Sequence, residues 1–519
     1  GYDIHSTIDA NLQMIVEKYL GQFNEEQSNA FTSGNGAENV GCIIMEVDSG
    51  EVLAMASLPG YDLNDVRNPN ALLGTKLLEE VTNANGYIEI HKTDTVITEE
   101  VLANMSEEQL YVNLNYLWKN YCITGTYEPG STAKPFTVAA ALEDGAISPG
   151  TMLECTGYLE IGGYKIRCHG GVHGMLSLEQ AVAKSCNVVM MRVAQMLGAE
   201  EFCEFQRIFN IGLKTNIDLA GEARTASLVY VAENMGPTDL ATNSFGQNFN
   251  VTMIEMITAF CSMINGGYYY EPHMVDKITN ASGATVKNIE PRVLKQTISE
   301  STSELIRQYC RAVVEYGTGG TARPAGYMIG GKTGTAETID SNTHKRSETD
   351  HVVSFMGYAP ADDPQIAIYV VVDRPNTDKQ GNARFATKIV RNILTEALPY
   401  LNIFMTEELS ETERAELEAL HLEITNQYTQ RPEDLPQEGG EDGGSTGTEG
   451  GEGGGANPGN GESAPWMSYP VDPDTGYRVD PDSGRFFDPQ TGEPIDQGES
   501  VPDPNLPVNP NLPVTPNNQ

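Results

Sequence analysis

Residues 128–134 read Glu128-Pro-Gly-Ser131-Thr-Ala-Lys134. Pro-Gly ends an irregular segment, and the apolar run after it predicts a helix that begins at Ser131 and continues through Leu142. On the first turn of that helix Ser131 and Lys134 share one face, so the lysine amine can reach the serine hydroxyl. Backbone N–H groups at a helix start also stabilise developing negative charge. The pattern indicates a nucleophilic serine with a lysine base, although taken alone it fits an N-cap serine beside a solvated lysine better.

Two further short motifs lie later in the chain. Ser185-Cys-Asn187 follows a predicted helix at 178–184 and precedes another at 187–197. Gly330-Gly-Lys332-Thr-Gly-Thr335 has the small residues of a strand that another backbone approaches closely, with Lys332 as a fixed cation. Alone, the Ser185-Cys-Asn187 motif also fits a helix break. The Gly330–Thr335 motif alone also fits a phosphate loop, although it lacks the Gly-x-x-x-x-Gly-Lys spacing. In this order, however, Ser-x-x-Lys, Ser-x-Asn and Lys-Thr-Gly form the motif set of penicillin-recognising serine enzymes.

Strand and helix patterns around the motifs predict an α/β (α+β) domain. Two β-hairpins are predicted from pairs of apolar runs around turn sequences, at 40–45 with 51–57 and at 352–358 with 366–373. Most patterns between them are helical, and two helix starts carry capping boxes, at 106–109 and 177–180. We therefore expect an antiparallel sheet that is closed by the two ends of the domain and packed with helices.

The overall charge excludes several classes of partner. The 519 residues include 72 Asp plus Glu against 32 Lys plus Arg, a formal net charge of −40. Binding to phosphate backbones depends on cations, so nucleic acids and anionic lipid surfaces are excluded. The longest apolar stretches, 187–197 and 366–372, fall short of the about 20 residues that cross a bilayer. The opening at Gly1, without a signal-like segment, predicts a piece of a longer protein or a processed form.

The composition changes sharply near residue 432. From 433 to 519 the chain has 16 Gly and 14 Pro among 87 residues, with 17 acidic residues against two arginines. Such a segment cannot bury a core and predicts a solvated spacer, although its Asp-Pro-x-Ser/Thr-Gly repeat also fits single turns or weak calcium binding. Residues 406–420 predict an acidic amphipathic helix. The expected organisation is a domain at 1–402, an acidic helical extension at 403–432 and a disordered Gly/Pro/acidic tail at 433–519.

With its three motifs and further landmarks, the chain resembles the transpeptidase domain of a class B penicillin-binding protein over residues 1–402. The sequence departs from that family at Ala133, where an aromatic is common, at Cys186, which replaces Ser, and at Asn248, where Gly is frequent. The stretch 68–116 is also longer and more helical than expected. The landmarks are Ser6-Thr-Ile-Asp9 with Gln13, Val47-Asp-Ser-Gly50-Glu-Val-Leu-Ala-Met55, Tyr127-Glu-Pro-Gly-Ser131, His173-Gly174, Gly246-Gln247 and Phe355-Met-Gly-Tyr-Ala-Pro360.

The resemblance implies a serine β-lactamase-like fold with a five-stranded antiparallel sheet, and a D,D-transpeptidase that cross-links peptidoglycan. Ser131 would attack the carbonyl between the two terminal D-alanines of a stem peptide, and Lys134, held neutral by Lys332, would accept its proton. Ser185 would relay that proton to the leaving amine, while Asn187 fixes Lys134 and the substrate backbone. β-Lactams would acylate the same serine.

The third motif would bind the donor peptide. Lys332, Thr333, Gly334 and Thr335 would hold the terminal carboxylate, and the backbone N–H groups of Ser131 and Thr335 would form the oxyanion hole. An amine of a neighbouring stem peptide would resolve the acyl-enzyme, with no cofactor. The resemblance also implies other cell-wall synthesis proteins as partners, and a place on the outer face of the bacterial cytoplasmic membrane through an N-terminal anchor outside this sequence.

Other functions use the same motifs. A D,D-carboxypeptidase or a β-lactamase needs a group that activates water, and no Glu-x-x-x-Asn element is placed for this, although Glu222 and Glu233 are candidates. A penicillin-sensing receptor domain would use acylation as a signal, but such domains are usually shorter and lack the long tail. A scaffold that has lost catalysis conflicts with the intact motif side chains.

Eight cysteines are spread along the chain without a Cys-x-x-Cys pair or clustered histidines. This spacing predicts neither a metal site nor a dense disulfide framework, and His169 and His173 are interpreted as structural. Cys186 lies inside Ser-x-Asn, and a Gly-rich turn and a helix separate it from Cys168. The two are a candidate redox pair whose disulfide would distort the second motif, with inert packing of Cys186 as the alternative.

Overall fold

The computed structural model describes residues 1–83, 86–339 and 345–420, together with the pairs 478–479, 486–487 and 494–495. Contacts divide the chain into two units, Gly1–Gln437 and Glu438–Gln519. None of the described helices is both long and apolar enough to cross a bilayer.

The described part of the first unit has sixteen strands and thirteen α-helices. The strands are β1 (Tyr2–Ser6), β2 (Ala37–Glu46), β3 (Val52–Leu58), β4 (Lys76–Thr82), β5 (Ile88–Val96), β6 (Met152–Cys155), β7 (Tyr158–Ile161), β8 (Tyr164–Arg167), β9 (Gly174–Ser177), β10 (Tyr268–Tyr270), β11 (Val275–Asn280), β12 (Thr285–Asn288), β13 (Val293–Gln296), β14 (Gly330–Ile339), β15 (Arg346–Ala359) and β16 (Ile366–Pro375). The helices are α1 (Ala10–Gln27), α2 (Glu99–Ala103), α3 (Glu107–Leu117), α4 (Tyr121–Thr124), α5 (Lys134–Asp144), α6 (Leu178–Ala183), α7 (Asn187–Leu197), α8 (Ala199–Ile208), α9 (Pro237–Asn243), α10 (Met253–Ile264), α11 (Glu300–Glu315), α12 (Arg384–Tyr400) and α13 (Glu411–Ala419).

The central sheet has five antiparallel strands in the order β14-β15-β16-β2-β3. Both predicted hairpins are confirmed, as are the capping boxes at Ser106 and Ser177. Val40 of β2 lies opposite Val372 of β16, so the two ends of the domain meet inside the sheet. Among the described residues β14 pairs only with β15, which leaves its other side as an edge.

Helices cover both faces of this sheet. Along β16, Ile368 and Val370 face a core that they share with α1 and α12, whereas Tyr369 and Val371 face a larger core that contains α5, α7 and α10. All twelve residues of α10 are buried. Because both faces are covered, every position of such a strand needs an apolar side chain, which explains the uninterrupted apolar run of β16.

The start of the helix behind the first motif differs from the prediction. Ser131 lies in a 3₁₀ turn, Gly130–Ala133, and the α-helix begins only at Lys134. Pro135 occupies the first turn of α5, where its missing N–H is tolerated. The two motif residues therefore lie on either side of a change in helix type.

The acidic helix is shorter than predicted and belongs to the domain. It begins at Glu411, capped by Ser410, because the backbone N–H groups of Thr406 and Glu407 both donate to Gly326 O instead. Leu417 of α13 is buried in the core of α1 and α12. Ion pairs of Arg323 with Glu407 and Glu413, and of Arg391 with Glu416, add to this contact.

The long stretch at 68–116, whose sequence pattern is more helical than expected for the family, is only partly helical in the structure. It contains the β4–β5 hairpin as well as α2 and α3. Its apolar side chains form a small core of their own, made of Leu72, Leu77, Ile97, Leu114 and Leu117.

The second unit is described at six residues only. They form three short antiparallel strands, β17 (Arg478–Val479), β18 (Phe486–Phe487) and β19 (Pro494–Ile495). In the sequence each follows one Asp-Pro-x-Ser/Thr-Gly unit. For these six residues the predicted absence of structure is wrong. The rest of the predicted tail lies outside the described residues.

Candidate active site

The side chain of Lys134 is fully buried and reaches the second motif. Its Nζ atom donates to Ser185 O at 2.5 Å, to Ser185 Oγ at 2.9 Å and to Asn187 Oδ1 at 2.7 Å. The packing of α5 against α7 brings the lysine to the turn that precedes α7. An ammonium group has three N–H donors, so these three acceptors fix the position of Lys134.

The Ser185 hydroxyl joins all three motifs. It accepts one hydrogen bond from Lys134 Nζ at 2.9 Å and another from Lys332 Nζ at 3.1 Å. Ser185 has a φ of +54°, a backbone conformation that costs free energy for a residue other than glycine. This unusual turn aims its hydroxyl between two buried lysines.

Within the described residues the hydrogen bonds of Lys332 go to Ser185 and to Thr333, the next residue on β14. Its Nζ atom donates to Ser185 Oγ, to Thr333 O and to Thr333 Oγ1, and its side chain is fully buried. The Thr333 hydroxyl also lies 2.7 Å from that of Thr318, which precedes β14. The strand thus presents a lysine and a hydroxyl side by side at the sheet edge.

Ser131 lies on the same turn as Lys134 but is not bonded to it. The Lys134 backbone N–H donates to Ser131 O, and the serine side chain is partly exposed. Within the described residues the Ser131 hydroxyl has no hydrogen-bond partner, and the hydrogen bonds of Lys134 Nζ all go to Ser185 and Asn187. The structure brings the predicted pair together without the predicted hydrogen bond.

Three glycines allow the serine turn to approach β14 and a neighbouring loop. A Cβ atom at Gly130 would lie 2.5 Å from Thr335 O, and one at Gly334 would lie 3.1 Å from Pro129 O. Gly246 has a φ of +89°, and a Cβ atom there would lie 1.9 Å from Gly130 O. Gly130 N–H also donates to Gly246 O at 2.9 Å. Backbone packing, without side chains between, therefore sets the distance from Ser131 to β14.

Burial governs the protonation of the two lysines. It lowers the pKa of Lys134 to about 7. It also lowers the pKa of Lys332 well below the usual lysine range, with the charge of Lys134 as the second cause. Burial is thus the first cause of the lowered pKa at both lysines, and repulsion between the two charges adds to it at Lys332.

Sequence reasoning missed an ion pair that anchors the serine turn. Glu128, three residues before Ser131, is buried and accepts hydrogen bonds from both terminal nitrogens of Arg346 at 2.7 and 2.8 Å. Asn248 donates its backbone N–H to Glu128 at 3.0 Å and accepts from Arg346 at 3.0 Å. Its φ of +66° suits Asn as well as Gly, which explains the departure from the family at this position. The only signal in the sequence is an acidic residue directly before Pro-Gly.

The cysteines of the candidate redox pair do come together, and two further residues join them. Cys168 Sγ lies 3.6 Å from Cys186 Sγ and 3.6 Å from His173 Nδ1. The ligand atoms of Cys155, Cys168, His173 and Cys186 all lie within 4.8 Å of one another. The expectation that no histidine clusters with the cysteines is wrong, since separate strands and a helix bring these residues together. His169 is exposed and lies outside this set.

Comparisons with known proteins agree with this fold. The penicillin binding protein transpeptidase domain matches residues 40–395. The chain is 32% identical over 406 residues to stage V sporulation protein D of Bacillus subtilis, which covers 78% of this chain and 54% of that protein. It is 23% identical over 413 residues to PenA of Neisseria flavescens, a probable peptidoglycan D,D-transpeptidase, covering 79% of this chain and 86% of that protein.

Solved structures show the same architecture. The D,D-transpeptidase domain of a peptidoglycan glycosyltransferase from Eggerthella lenta has 25% identity and a TM-score of 0.61, covering 78% of this chain and 84% of that one. Penicillin-binding protein 3 of Mycobacterium tuberculosis, complexed with aztreonam, has 23% identity and a TM-score of 0.61, covering 79% and 81%.

Three motifs that meet at one hydroxyl, on an antiparallel sheet covered by helices, define a penicillin-recognising serine acyltransferase fold. The chain belongs to the penicillin-binding protein transpeptidase domain family. The proteins that it matches are consistent with a class B penicillin-binding protein. It spans about half the length of the first relatives, with 54% of the Bacillus subtilis protein and 53% of PbpB from Mycolicibacterium smegmatis.

Proposed function

We propose that this domain is a serine D,D-transpeptidase that cross-links peptidoglycan stem peptides and is acylated by β-lactams. The observation that carries the proposal is the Ser185 hydroxyl, which accepts hydrogen bonds from both Lys134 and Lys332 beside the Ser131 turn. A hydroxyl between two buried amines can receive a proton from one side and pass it to another group, as acyl transfer requires.

Acylation begins at Ser131. Its Oγ atom attacks the carbonyl carbon between the two terminal D-alanines, and the hydroxyl proton passes to neutral Lys134. The carbonyl oxygen becomes an oxyanion, which the backbone N–H groups of Ser131 and Thr335 stabilise. When the carbon–nitrogen bond breaks, the leaving D-alanine amine takes a proton through Ser185, and an ester to Ser131 remains. Asn187 holds Lys134 in place during these steps through its 2.7 Å hydrogen bond.

The edge of β14 binds the donor peptide. Its outer side pairs with no described strand, so an extended peptide backbone can align along it. The terminal carboxylate lies beside Lys332, Thr333, Gly334 and Thr335. A carboxylate next to Lys332 favours the charged amine, which reverses the loss of proton affinity that burial causes in the free enzyme.

Deacylation by an amine, rather than by water, fits the surroundings of the site. Glu222, a candidate for activating water, is buried and accepts hydrogen bonds from Thr215 and Asn216, so its carboxylate supports a local turn. Glu233 is exposed on a separate 3₁₀ turn. An acceptor amine attacks the ester carbonyl, forms the new amide, and returns the proton to Ser131. This arrangement supports a transpeptidase over a carboxypeptidase, a β-lactamase or a penicillin sensor.

The setting of the reaction follows from its substrate. We place the domain at the outer face of the cytoplasmic membrane, where peptidoglycan is assembled, held there by an anchor outside this sequence. Other cell-wall synthesis proteins are proposed as partners for the same reason. The family membership supports both statements.

The test is turnover of a labelled stem pentapeptide with and without an acceptor amine. We expect a cross-linked product and faster release of D-alanine when the acceptor is present, and neither with Ser131→Ala. Equal release without an acceptor would indicate a carboxypeptidase, and acylation without turnover would indicate a sensor. Intact-mass measurement after incubation with penicillin should find one adduct on the wild-type chain and none on Ser131→Ala.

A further inference from the structure

The Cys155, Cys168, His173 and Cys186 cluster has the composition and spacing of a metal site. Three cysteines and one histidine form one of the ligand sets of structural zinc. Zinc bound tetrahedrally, with Zn–S of about 2.3 Å and Zn–N of about 2.0–2.1 Å, places two sulfurs about 3.8 Å apart and a sulfur and a nitrogen about 3.6 Å apart. The distances from Cys168 Sγ to Cys186 Sγ and to His173 Nδ1 are both 3.6 Å.

Four separate elements supply these residues. Cys155 ends β6 and lies opposite Gly174 of β9, which places it beside His173. Cys168 follows β8, and Cys186 caps the N-terminus of α7. Three of the four residues are buried and His173 is partly so, which closes the cluster to solvent on most sides. A site of this kind lacks an open position for a substrate, as structural zinc sites do.

The start of α7 directs a backbone donor at the cluster. Val189 N–H lies 3.5 Å from Cys186 Sγ. Zinc binds cysteine as the thiolate, and N–H donors around the sulfurs support that form. The positive end of the helix dipole acts in the same direction.

From this geometry we propose that Cys155, Cys168, His173 and Cys186 bind one zinc ion as a structural site. Binding replaces the protons of the thiols, which are released to solvent, and leaves His173 neutral with Nδ1 on the metal. The soft sulfur ligands favour zinc over magnesium or calcium. A Cys168–Cys186 disulfide, the earlier interpretation, accounts for two of the four residues and leaves Cys155 and His173 without a role.

The zinc would position the second motif. Cys186 lies between Ser185 and Asn187, and Asn187 Nδ2 donates to Arg167 O, the residue before Cys168, at 3.3 Å. A metal that joins the start of α7 to the β6–β9 strand pair and the β7–β8 hairpin therefore fixes the groups that hold Lys134. The proposal does not depend on the substrate of the enzyme.

The first test is the metal content of the full chain, produced without a metal-affinity tag and purified without chelators. We expect one zinc per chain in the wild type, and loss of zinc in Cys155→Ser and His173→Ala. His173→Cys should retain zinc because it keeps a soft ligand, and Cys203→Ser, outside the cluster, should retain it as the matched control. Failure of the wild type to contain or take up zinc, or retention of zinc by every variant, would overturn the proposal.

A second test avoids variants that fail to fold. Zinc removed from the wild type by a chelator should be replaceable by cobalt, with the visible absorption of a tetrahedral thiolate site, and zinc loss should lower the melting temperature and the rate of penicillin labelling reversibly. Mass spectrometry of the untreated chain should find three free thiols in the cluster. If a Cys168–Cys186 disulfide forms to the same extent in the wild type and in Cys155→Ser, and neither chain contains zinc, the pair acts as a redox couple instead.

Discussion

Arg346 binds Glu128 through two parallel hydrogen bonds, from its two terminal nitrogens to the two carboxylate oxygens. Glu128 lies directly before the Pro-Gly that leads to Ser131, whereas Arg346 is the first residue of β15 and lies opposite Ile339, the last residue of β14. This planar pairing is the strongest kind of side-chain ion pair. The ion pair therefore connects the serine turn to β15, the strand that pairs with β14.

Replacing Arg346 with Ala should destabilise the domain and slow acylation. Glu128 would be left buried without its cation, and we expect a loss of about 2–3 kcal/mol, below the about 3–5 kcal/mol of a fully buried pair because the Arg346 side chain is 30% exposed. Urea unfolding and the rate of labelling by fluorescent penicillin measure the two effects. Arg292→Ala is the control: that arginine pairs with Glu271 while 70% exposed, and its loss should cost about 0–1 kcal/mol. Equal effects of the two substitutions would contradict the assigned role.

Gly246→Ala should abolish penicillin labelling. The new Cβ atom would meet Gly130 O at 1.9 Å, so the serine turn has to move. Gly145→Ala separates this contact from backbone strain, because Gly145 also has a positive φ, +81°, but open space where a Cβ would lie. The control should lose only about 1–2 kcal/mol of stability and keep its labelling rate. Normal labelling of Gly246→Ala would show that the close backbone approach is not required.

The rate of acylation should reach its plateau near neutral pH. Lys134 accepts a proton only when neutral, and burial lowers its pKa to about 7, so the rate should fall about tenfold per unit below that value and level off above it. Stopped-flow measurement with a fluorescent β-lactam gives the profile, while tryptophan fluorescence monitors folding at each pH. A rate that keeps rising to about pH 10, the range of an ordinary lysine, would exclude Lys134 as the base.

Truncation should separate the tail from the acidic helix. A chain that ends at residue 432 keeps every motif and α13, so its melting temperature and labelling rate should equal those of the full chain. A chain that ends at residue 402 loses the buried Leu417 and the ion pairs of Arg323 and Arg391, and should be less stable by about 2 kcal/mol or more. Differential scanning calorimetry compares the three chains. If the chain that ends at residue 432 melts at a lower temperature than the full chain, residues 433–519 stabilise the domain.

Local patterns were sufficient for much of the fold. The hairpins at β2–β3 and β15–β16 and the caps at Ser106 and Ser177 depend on residues a few positions apart, and they were predicted. The change from a 3₁₀ turn to an α-helix at Lys134 was not, because both have similar local sequence preferences.

The groups that the sequence did not reveal come from distant positions. Arg346 meets Glu128 across 218 residues, and no periodic pattern relates the two. Cys155 and His173 lie together only because β6 pairs with β9. The three motifs were recognised as a set, but the lysine contacts depend on how α5, α7 and β14 pack together, which spacing alone does not determine.

The pairing of β2 with β16 also sets the order in which the molecule can form. Val40 cannot meet Val372 until a nascent chain has emerged almost to the end of the domain, so the sheet has a high contact order and is completed late. During synthesis the early hairpin lacks its partner strand, so its edge stays unpaired. Lys332 on β14 can reach Ser185 only when the sheet has formed, so the three motifs come together late in folding.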